Sequence, residues 1–289
     1  MKGSLSRKQL AWIKEEPLRL VASGLMKIDS SYRMERGNYI RNRYGSAFVP
    51  FVPRFEQQKI LQARAECKKR GRAANLVVAK ARDIGLSAIS SRIIAAEQLF
   101  SETGPALAVT LDPQVRRDVI YKMMRDAYTS IHDDLKPVLR KNSKEYIEFT
   151  YSNPSINIEA SASTTMVSSF LGERAGVGTR MQWIWLSEFA KFYGSEEIMR
   201  GLNDVQFESP LSFRIKESTC EGKANRHYED FWLSWEQQGF CNFYEPGFKW
   251  ESNAQEIALF FPWFHSPARI NEFPPTVTAQ MMYNDLIEY

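Results

Sequence analysis

Four apolar segments alternate with helical stretches along most of this chain, and that alternation restricts the fold more than any other feature of the sequence. The segments are NLVVAK from Asn75, ALAVTL from Ala106, MQWIWL from Met181 and SFRIKE from Ser212. Between and after them lie LSAISSRIIAAEQLF, PQVRRDVIYKMMRDAYTSI, GSEEIMRGLNDV and ANRHYEDFWLSWEQQ, each with apolar residues at helical spacing. Strand-helix repetition of this kind predicts an α/β domain with a largely parallel sheet flanked by helices. One stretch departs from it. KEYIEFTYSNPSINIEAS alternates apolar and polar residues on both sides of Ser152-Asn153-Pro154, which predicts an antiparallel hairpin inserted between two sheet strands.

The chain of 289 residues is long enough for one large domain and a small appendage. Residues 1–50 read as a basic helical lead-in broken at Pro17, residues 51–275 as the main domain, and residues 276–289 as the start of a further linker or helix. The final FPPTVTAQMMYNDLIEY begins a helix with no evident end, as a longer protein cut at a domain edge would. No apolar run approaches the roughly 20 residues that a membrane-spanning helix needs. MKGSLSRKQLAWIKEE has no apolar signal core, so a cytoplasmic location with no membrane partner is expected. Cys67, Cys220 and Cys241, and His132, His227 and His265, are too scattered for a zinc or disulfide framework. Trp183, Trp185, Trp232, Trp235 and Trp263 stand in strand and helix contexts that favour core packing over base stacking.

Charge is uneven. Residues 1–72 hold 17 Lys/Arg against 6 Asp/Glu, and the remainder 21 against 28. RGNYIRNRY and CKKRGR interleave cations with aromatics or glycine, a pattern that suits a polyanion surface and equally suits a solvated helix face.

The stretch VVAKARDIGLSAISSRII carries the main chemical clue. It runs from a buried strand through a short turn into a helix, where free N–H groups and the positive helix end bind phosphate. Against the pattern G-x-x-x-x-G-K-[ST], Gly85 and Ser87 fall in place, but Leu86 stands where the lysine belongs and Lys80 where the first glycine belongs. Gly85 permits close backbone approach, Ser87 is placed to ligate Mg²⁺, and Lys80 with Arg82 supplies the cations. A second apolar strand, WIWL, ends in Ser187 and Glu188, where P-loop ATPases place a metal-shell Asp and a water-polarising Glu. A third ends in Glu217, Ser218 and Thr219, where hydroxyls can sense a γ-phosphate. Open α/β sheets bind ligands at such strand ends.

KARDIGLS, WIWLSEFA, IKESTCEGKAN and ALFFPWF, in this order, resemble the ATPase domain of the large terminase subunit of tailed bacteriophages, the motor that packs DNA into proheads. The resemblance covers roughly residues 50–270. It implies a P-loop NTPase fold of the RecA-like division, with ATP and Mg²⁺ bound. Lys80, Ala81, Arg82, Asp83, Ile84, Gly85, Leu86, Ser87 and Ala88 would form the phosphate loop. Ser87 and Ser187 would face the metal, and Glu188 would be the catalytic carboxylate. Ser218 and Thr219 would form the coupling segment, and Gln57, with Gln58 as the alternative, would read adenine. Arg174 or Arg180 would act in trans on a ring neighbour. Double-stranded DNA, a small terminase subunit and the portal of the prohead are the implied partners, in the host cytoplasm and not in the virion. Nuclease activity would belong to a following domain. Asp83 and Ala88 depart from the family pattern; a carboxylate about 6 Å from the phosphates costs on the order of 3 kcal/mol at an effective dielectric of about 20 unless Arg82 neutralises it. Another ring or helicase-like P-loop translocase, or a DNA- or capsid-binding adaptor with a decayed site, are the other readings. Convergence of the Lys80 amine and the Glu188 carboxylate on one pocket is the spatial requirement of the ATPase reading.

Overall fold

The computed structural model describes residues 5–262 apart from 24, 31, 36–37, 42–46, 83, 100–104, 111–112, 116–118, 143–145, 154–157, 171–179, 193–194, 207–208 and 240–253. Its frame is a sheet of eight strands. Five of them are β5 (Ala74–Lys80), β6 (Ala106–Thr110), β10 (Trp183–Ser187), β11 (Phe213–Ser218) and β12 (Ile257–Phe261). They run parallel in the order β12-β5-β11-β10-β6. The strand before the phosphate turn and the strand ending at Glu188 are therefore separated by one strand, β11. That is the parallel α/β arrangement of P-loop proteins that the sequence predicted.

These strands read as continuous apolar runs because both faces of the sheet are covered. Successive side chains go to opposite layers. Leu76, Val78, Ala106, Ala108, Trp183, Trp185, Phe213 and Ile215 join a large cluster with the helices α3 (Phe55–Lys69) and α4 (Leu86–Gln98). Leu107, Val109, Ile184 and Leu186 face the other way, onto Phe189, Phe192 and the helix α7 (Ser195–Val205). On that same far side Val77, Ala79 and Ala258 meet Phe231 of α8 (Arg226–Gln237). Two buried polar ties cross the first layer. Arg64 of α3 forks onto Glu97 of α4 at 2.8 and 3.1 Å and also donates to the carbonyls of Pro210 and Leu211. Glu97 in turn accepts the indole N–H of Trp183.

Three expectations are corrected. The hairpin forms, as β8 (Tyr146–Asn153) against β9 (Ile158–Phe170), but it does not sit between two strands. β9 is long enough to pair antiparallel with β8 and, through Met166–Phe170, parallel with β6, so it extends the sheet at its edge. The strand β7 (Val138–Asn142) follows outside β8. At the N-terminus the helical reading holds for α1 (Arg7–Glu15), capped by Ser6 and Gln9, and for α2 (Leu18–Ala22), which starts at Pro17. The described residues between 27 and 50 are not helical. They hold β1 (Lys27–Ser30) paired with β4 (Ala47–Pro50), and β2 (Tyr32–Glu35) paired with β3 (Asn38–Arg41). Ile28, Tyr32, Ile40, Phe48 and Val49 are aromatic or β-branched, which favours extended pairing over helix. Among the tryptophans, Trp183 and Trp185 are fully buried as expected, whereas Trp232 is 45% exposed on the outer face of α8. Trp263 lies outside the described residues, as do Cys241, His265 and residues 276–289.

Candidate nucleotide site

The parallel register brings three strand ends level. Ala79 is paired with Ser218, and Glu217 with Ser187, so Lys80, Glu217 and Glu188 leave the sheet side by side at its C-terminal edge. At this edge β5 gives way to the turn 81–85 and then to α4, whose first-turn N–H groups have no helical partner. Gly85 occupies the left-handed region, φ 74°, ψ 33°, which a side-chain-bearing residue adopts only at a cost. Ala81 N–H is tied to Phe261 O at 2.9 Å, and Ile84 is buried. Arg82 is exposed, and Asp83 lies outside the described residues. Leu86 and Ala88 point into the core. That explains the displaced cation, because a lysine at position 86 would carry its charge into the apolar layer.

The Lys80 ammonium lies 3.3 Å from Glu188 Oε1 and 3.1 Å from Glu217 Oε2. The convergence required of positions 80 and 188 is therefore met, across 108 residues of chain. Burial alone would lower the Lys80 pKa, but Glu217 and Glu188 outweigh it and raise the value above that of an ordinary lysine. Burial likewise acts to raise the Glu188 pKa, and Lys80 and Lys191 together overcome it, holding the carboxyl below the ordinary range. Both groups are charged at neutral pH. Glu188 also has a left-handed backbone, φ 58°, and it is the single non-glycine with positive φ among the described residues. Such a conformation costs of order 1 kcal/mol or more in a residue with a Cβ and is characteristic of functional turns. Here it ends β10 abruptly, opens the short helical turn Phe189–Lys191 and presents the carboxylate above the strand end.

Around this pair, Thr219 Oγ1 donates to Glu188 Oε2 at 3.3 Å, and Lys191 approaches the same oxygen at 3.3 Å. Ser218 is fully buried, and its hydroxyl has no hydrogen-bond partner among the described residues. Ser87 Oγ and Ser187 Oγ donate to one oxygen, Glu217 Oε1, at 3.3 and 3.1 Å. Trp185 Nε1 does so at 3.3 Å. Glu217 is thus the hub of the site, and it is the residue that sequence reasoning passed over. A carboxylate ending the strand next to one that ends in Ser187 was the available signal. Two hydroxyls beside a carboxylate make a hard oxygen set of the kind Mg²⁺ takes, so the residues fit that ion.

Gln57 reaches the site from α3, but its amide is directed at the loop. Nε2 donates to Gly85 O at 2.8 Å and Ile84 O at 3.4 Å, while Oε1 accepts Arg54 N–H at 2.9 Å. The side chain expected to read adenine is buried as a strut beneath the strand-to-helix turn. Gln58 is exposed and donates to Pro53 O. Arg180 precedes β10 at the opposite sheet edge, so the length of that strand separates it from Glu188 in the same molecule. Arg174 lies outside the described residues. A cavity of about 630 Å³ lined by Arg72, Asn75, Gln206 and Arg214 also belongs to that opposite edge and touches none of the site residues.

Fold and site together define an α/β protein of the P-loop class with a lysine-carboxylate centre at the sheet's C-terminal edge. Scanned against protein-family models and against curated proteins, the sequence matches none. Among solved structures, the HK97 bacteriophage large terminase aligns with a TM-score of 0.50 at 9% identity, over 85% of this chain and 43% of the HK97 chain. The large terminase ATPase domain of Thermus phage P74-26 aligns at 0.49 and 14% identity, over 78% and 90% of the two chains. The large terminase of a further thermophilic bacteriophage, solved in complex with ADP, aligns at 0.44 and 10%, over 81% and 50%. The HK97 likeness shows the fold: this chain is folded as that large terminase is over the matched part of its length.

Proposed function

We propose that this chain is the ATP-hydrolysing motor domain of a phage DNA-packaging terminase, driving double-stranded DNA into proheads. The observation that carries the reading is the meeting of Lys80 with Glu188 beside a glycine-containing strand-to-helix turn. The phosphates of ATP occupy the N-terminal end of α4, where Lys80 and Arg82 contact them. Entry of the phosphates gives Lys80 a further anion beside Glu217 and loosens its hold on Glu188, which is then free to accept a proton from water and orient it for in-line attack. Ser87 and Ser187 would hold Mg²⁺, which when bound would supply neutralisation of the phosphate charge. Ser218 and Thr219 transmit the state of the site, since Thr219 already holds Glu188 and the Ser218 hydroxyl is uncommitted.

Arg180 does not meet its own Glu188, so an arginine supplied by a ring neighbour, from Arg180 or Arg174, completes the site. Such a residue contributes about 10³- to 10⁵-fold, and the isolated chain therefore turns over slowly. The basic front of the chain contacts DNA phosphates without sequence preference. A small terminase subunit and the portal are the assembly partners, in the host cytoplasm during phage assembly, and DNA cutting is not assigned to these residues. The adaptor reading is less favoured at Leu86, which is buried, with a cation present instead at Lys80.

Multiple-turnover ATP hydrolysis with and without DNA, compared with Glu188→Gln, tests the proposal. The variant is expected to retain ATP binding and lose at least about 100-fold in kcat, the usual range for a positioned general base. Absence of turnover in the parent with DNA present, or equal turnover in the two proteins, refutes it.

A further inference from the structure

Ser187 leaves the ATPase reading with a deficit, since a hydroxyl stands where a metal-shell carboxylate is needed, and the structure contains a carboxylate one strand away. Glu217 is paired with Ser187 in the parallel register of β10 and β11. It is fully buried, yet its partners are not those of a structural salt bridge alone. Oε1 gathers the hydroxyls of Ser87 and Ser187, which are the two groups placed to face the metal. Oε2 is met by the Lys80 ammonium at 3.1 Å. A buried carboxylate is costly without a cation beside it, so a Lys80 that turns to the phosphates leaves Glu217 in need of another.

Resting on the motor reading above, we propose that Glu217 replaces the missing acid of β10: it is the carboxylate that holds the magnesium shell, acting through Ser87 and Ser187. With nucleotide bound, Lys80 turns to the phosphates and the charge on Glu217 is matched by the divalent cation instead. Glu188 is then left with one task, the orientation of water. A division of this kind places the metal-shell acid and the water-polarising acid on adjacent strands rather than on adjacent residues.

The sign of the expected effects separates this role from a merely structural one. Glu217→Gln keeps the shape and removes the charge. Without a divalent ion the buried negative charge repels the phosphates, so the variant binds ADP in EDTA as tightly as the parent or several-fold more tightly. With ADP present, its affinity for Mn²⁺, followed by the electron paramagnetic resonance of the free ion, falls about 10- to 100-fold, as losses of groups that hold metal ligands do. Adding Ser187→Asp restores the acid to the ordinary strand and recovers most of the Mn²⁺ affinity. A Glu217→Gln protein that binds Mn²⁺–ADP like the parent, or that weakens ADP binding equally with and without the ion, overturns the assignment while leaving the motor reading intact. If Glu217→Gln is too unstable to assay, the Ser187→Asp/Glu217→Gln pair decides alone: retained Mn²⁺-dependent binding supports the assignment and its loss overturns it. A parent chain that binds no ADP under either condition removes both readings.

Discussion

Replacing Gly85 with alanine tests how the turn between β5 and α4 is held. Two separate costs follow from the geometry. The residue sits at φ 74°, and a left-handed backbone costs an L-residue with a Cβ roughly 1–2 kcal/mol. The new Cβ would also lie 2.6 Å from Gln57 Nε2, well inside van der Waals contact. Gln57 cannot simply turn away, because its amide makes two bonds to the carbonyls of Ile84 and Gly85 and accepts one from Arg54. Breaking the two loop bonds in a buried setting adds about 1–2 kcal/mol, for a total of about 2–4 kcal/mol. In a Gln57→Ala background the clash has gone, and Gly85→Ala should cost only the backbone share. Urea denaturation of the parent, both single variants and the double variant gives the coupling directly. It is expected at about 1–2 kcal/mol, the range of residues in contact. Costs that add to within about 0.5 kcal/mol would refute the strut, and the loss in Gly85→Ala would then be backbone strain alone.

Two further outcomes are expected in the core. His227 is buried with Nε2 against Val78 O, and burial pushes its pKa down from 6.5 to about 4. The unfolded chain therefore binds the proton first, so stability is full above pH 6.5 and declines as the pH falls toward 4, by about 2 kcal/mol between pH 8 and pH 5. His227→Gln should remove that slope in urea melts at the two pH values, and parallel losses in the two proteins would contradict it. In the helix layer, Arg64→Met strands the buried Glu97 carboxylate and should destabilise by about 3–5 kcal/mol in the same melts. Arg64→Met/Glu97→Met should be less damaging than Arg64→Met, and a double variant worse than the single would show that the bond from the Trp183 indole to Glu97 outweighs the stranded charge.

The central strands were legible because burial on both faces writes itself as an unbroken apolar run, and Val77–Val78 and Trp183–Leu186 are such runs. Strands that lie outside that double layer leave a weaker trace. β1 to β4 have four residues each, too few for a period to declare itself against the basic composition of residues 1–50. The hairpin was legible as a hairpin, but its place was not, because membership of β9 in the sheet depends on pairing with β6, some 60 residues earlier. Lys80, Gly85, Ser87 and Glu188 were marked as a site by their positions at strand ends. What no local window could supply was the partner of each: Ser87 meets Glu217 across 130 residues and Gln57 meets Gly85 across 28.

Taken one at a time, Leu86 and Ser187 look like losses from a phosphate-binding ATPase, and the fold relates them. Leu86 begins α4 on its buried side, so a cation cannot be carried there and appears instead at Lys80, at the end of the preceding strand. From that origin the ammonium passes over β11 before it reaches Glu188 on β10, because β11 is the strand between them. A neutral end on β11 would leave the lysine over a buried edge with one partially exposed carboxylate to balance it. Glu217 supplies the second charge at 3.1 Å, and its other oxygen is then positioned to take the hydroxyls of Ser87 and Ser187. A carboxylate at position 187 as well would put two acids on register partners within the same buried edge, a repulsion that one lysine cannot offset at the low dielectric of a strand end. On the motor reading proposed above, Lys80 in place of a lysine at 86 and Ser187 in place of an acid would be a single rearrangement, in which the serine at 187 allows Glu217 to carry the charge.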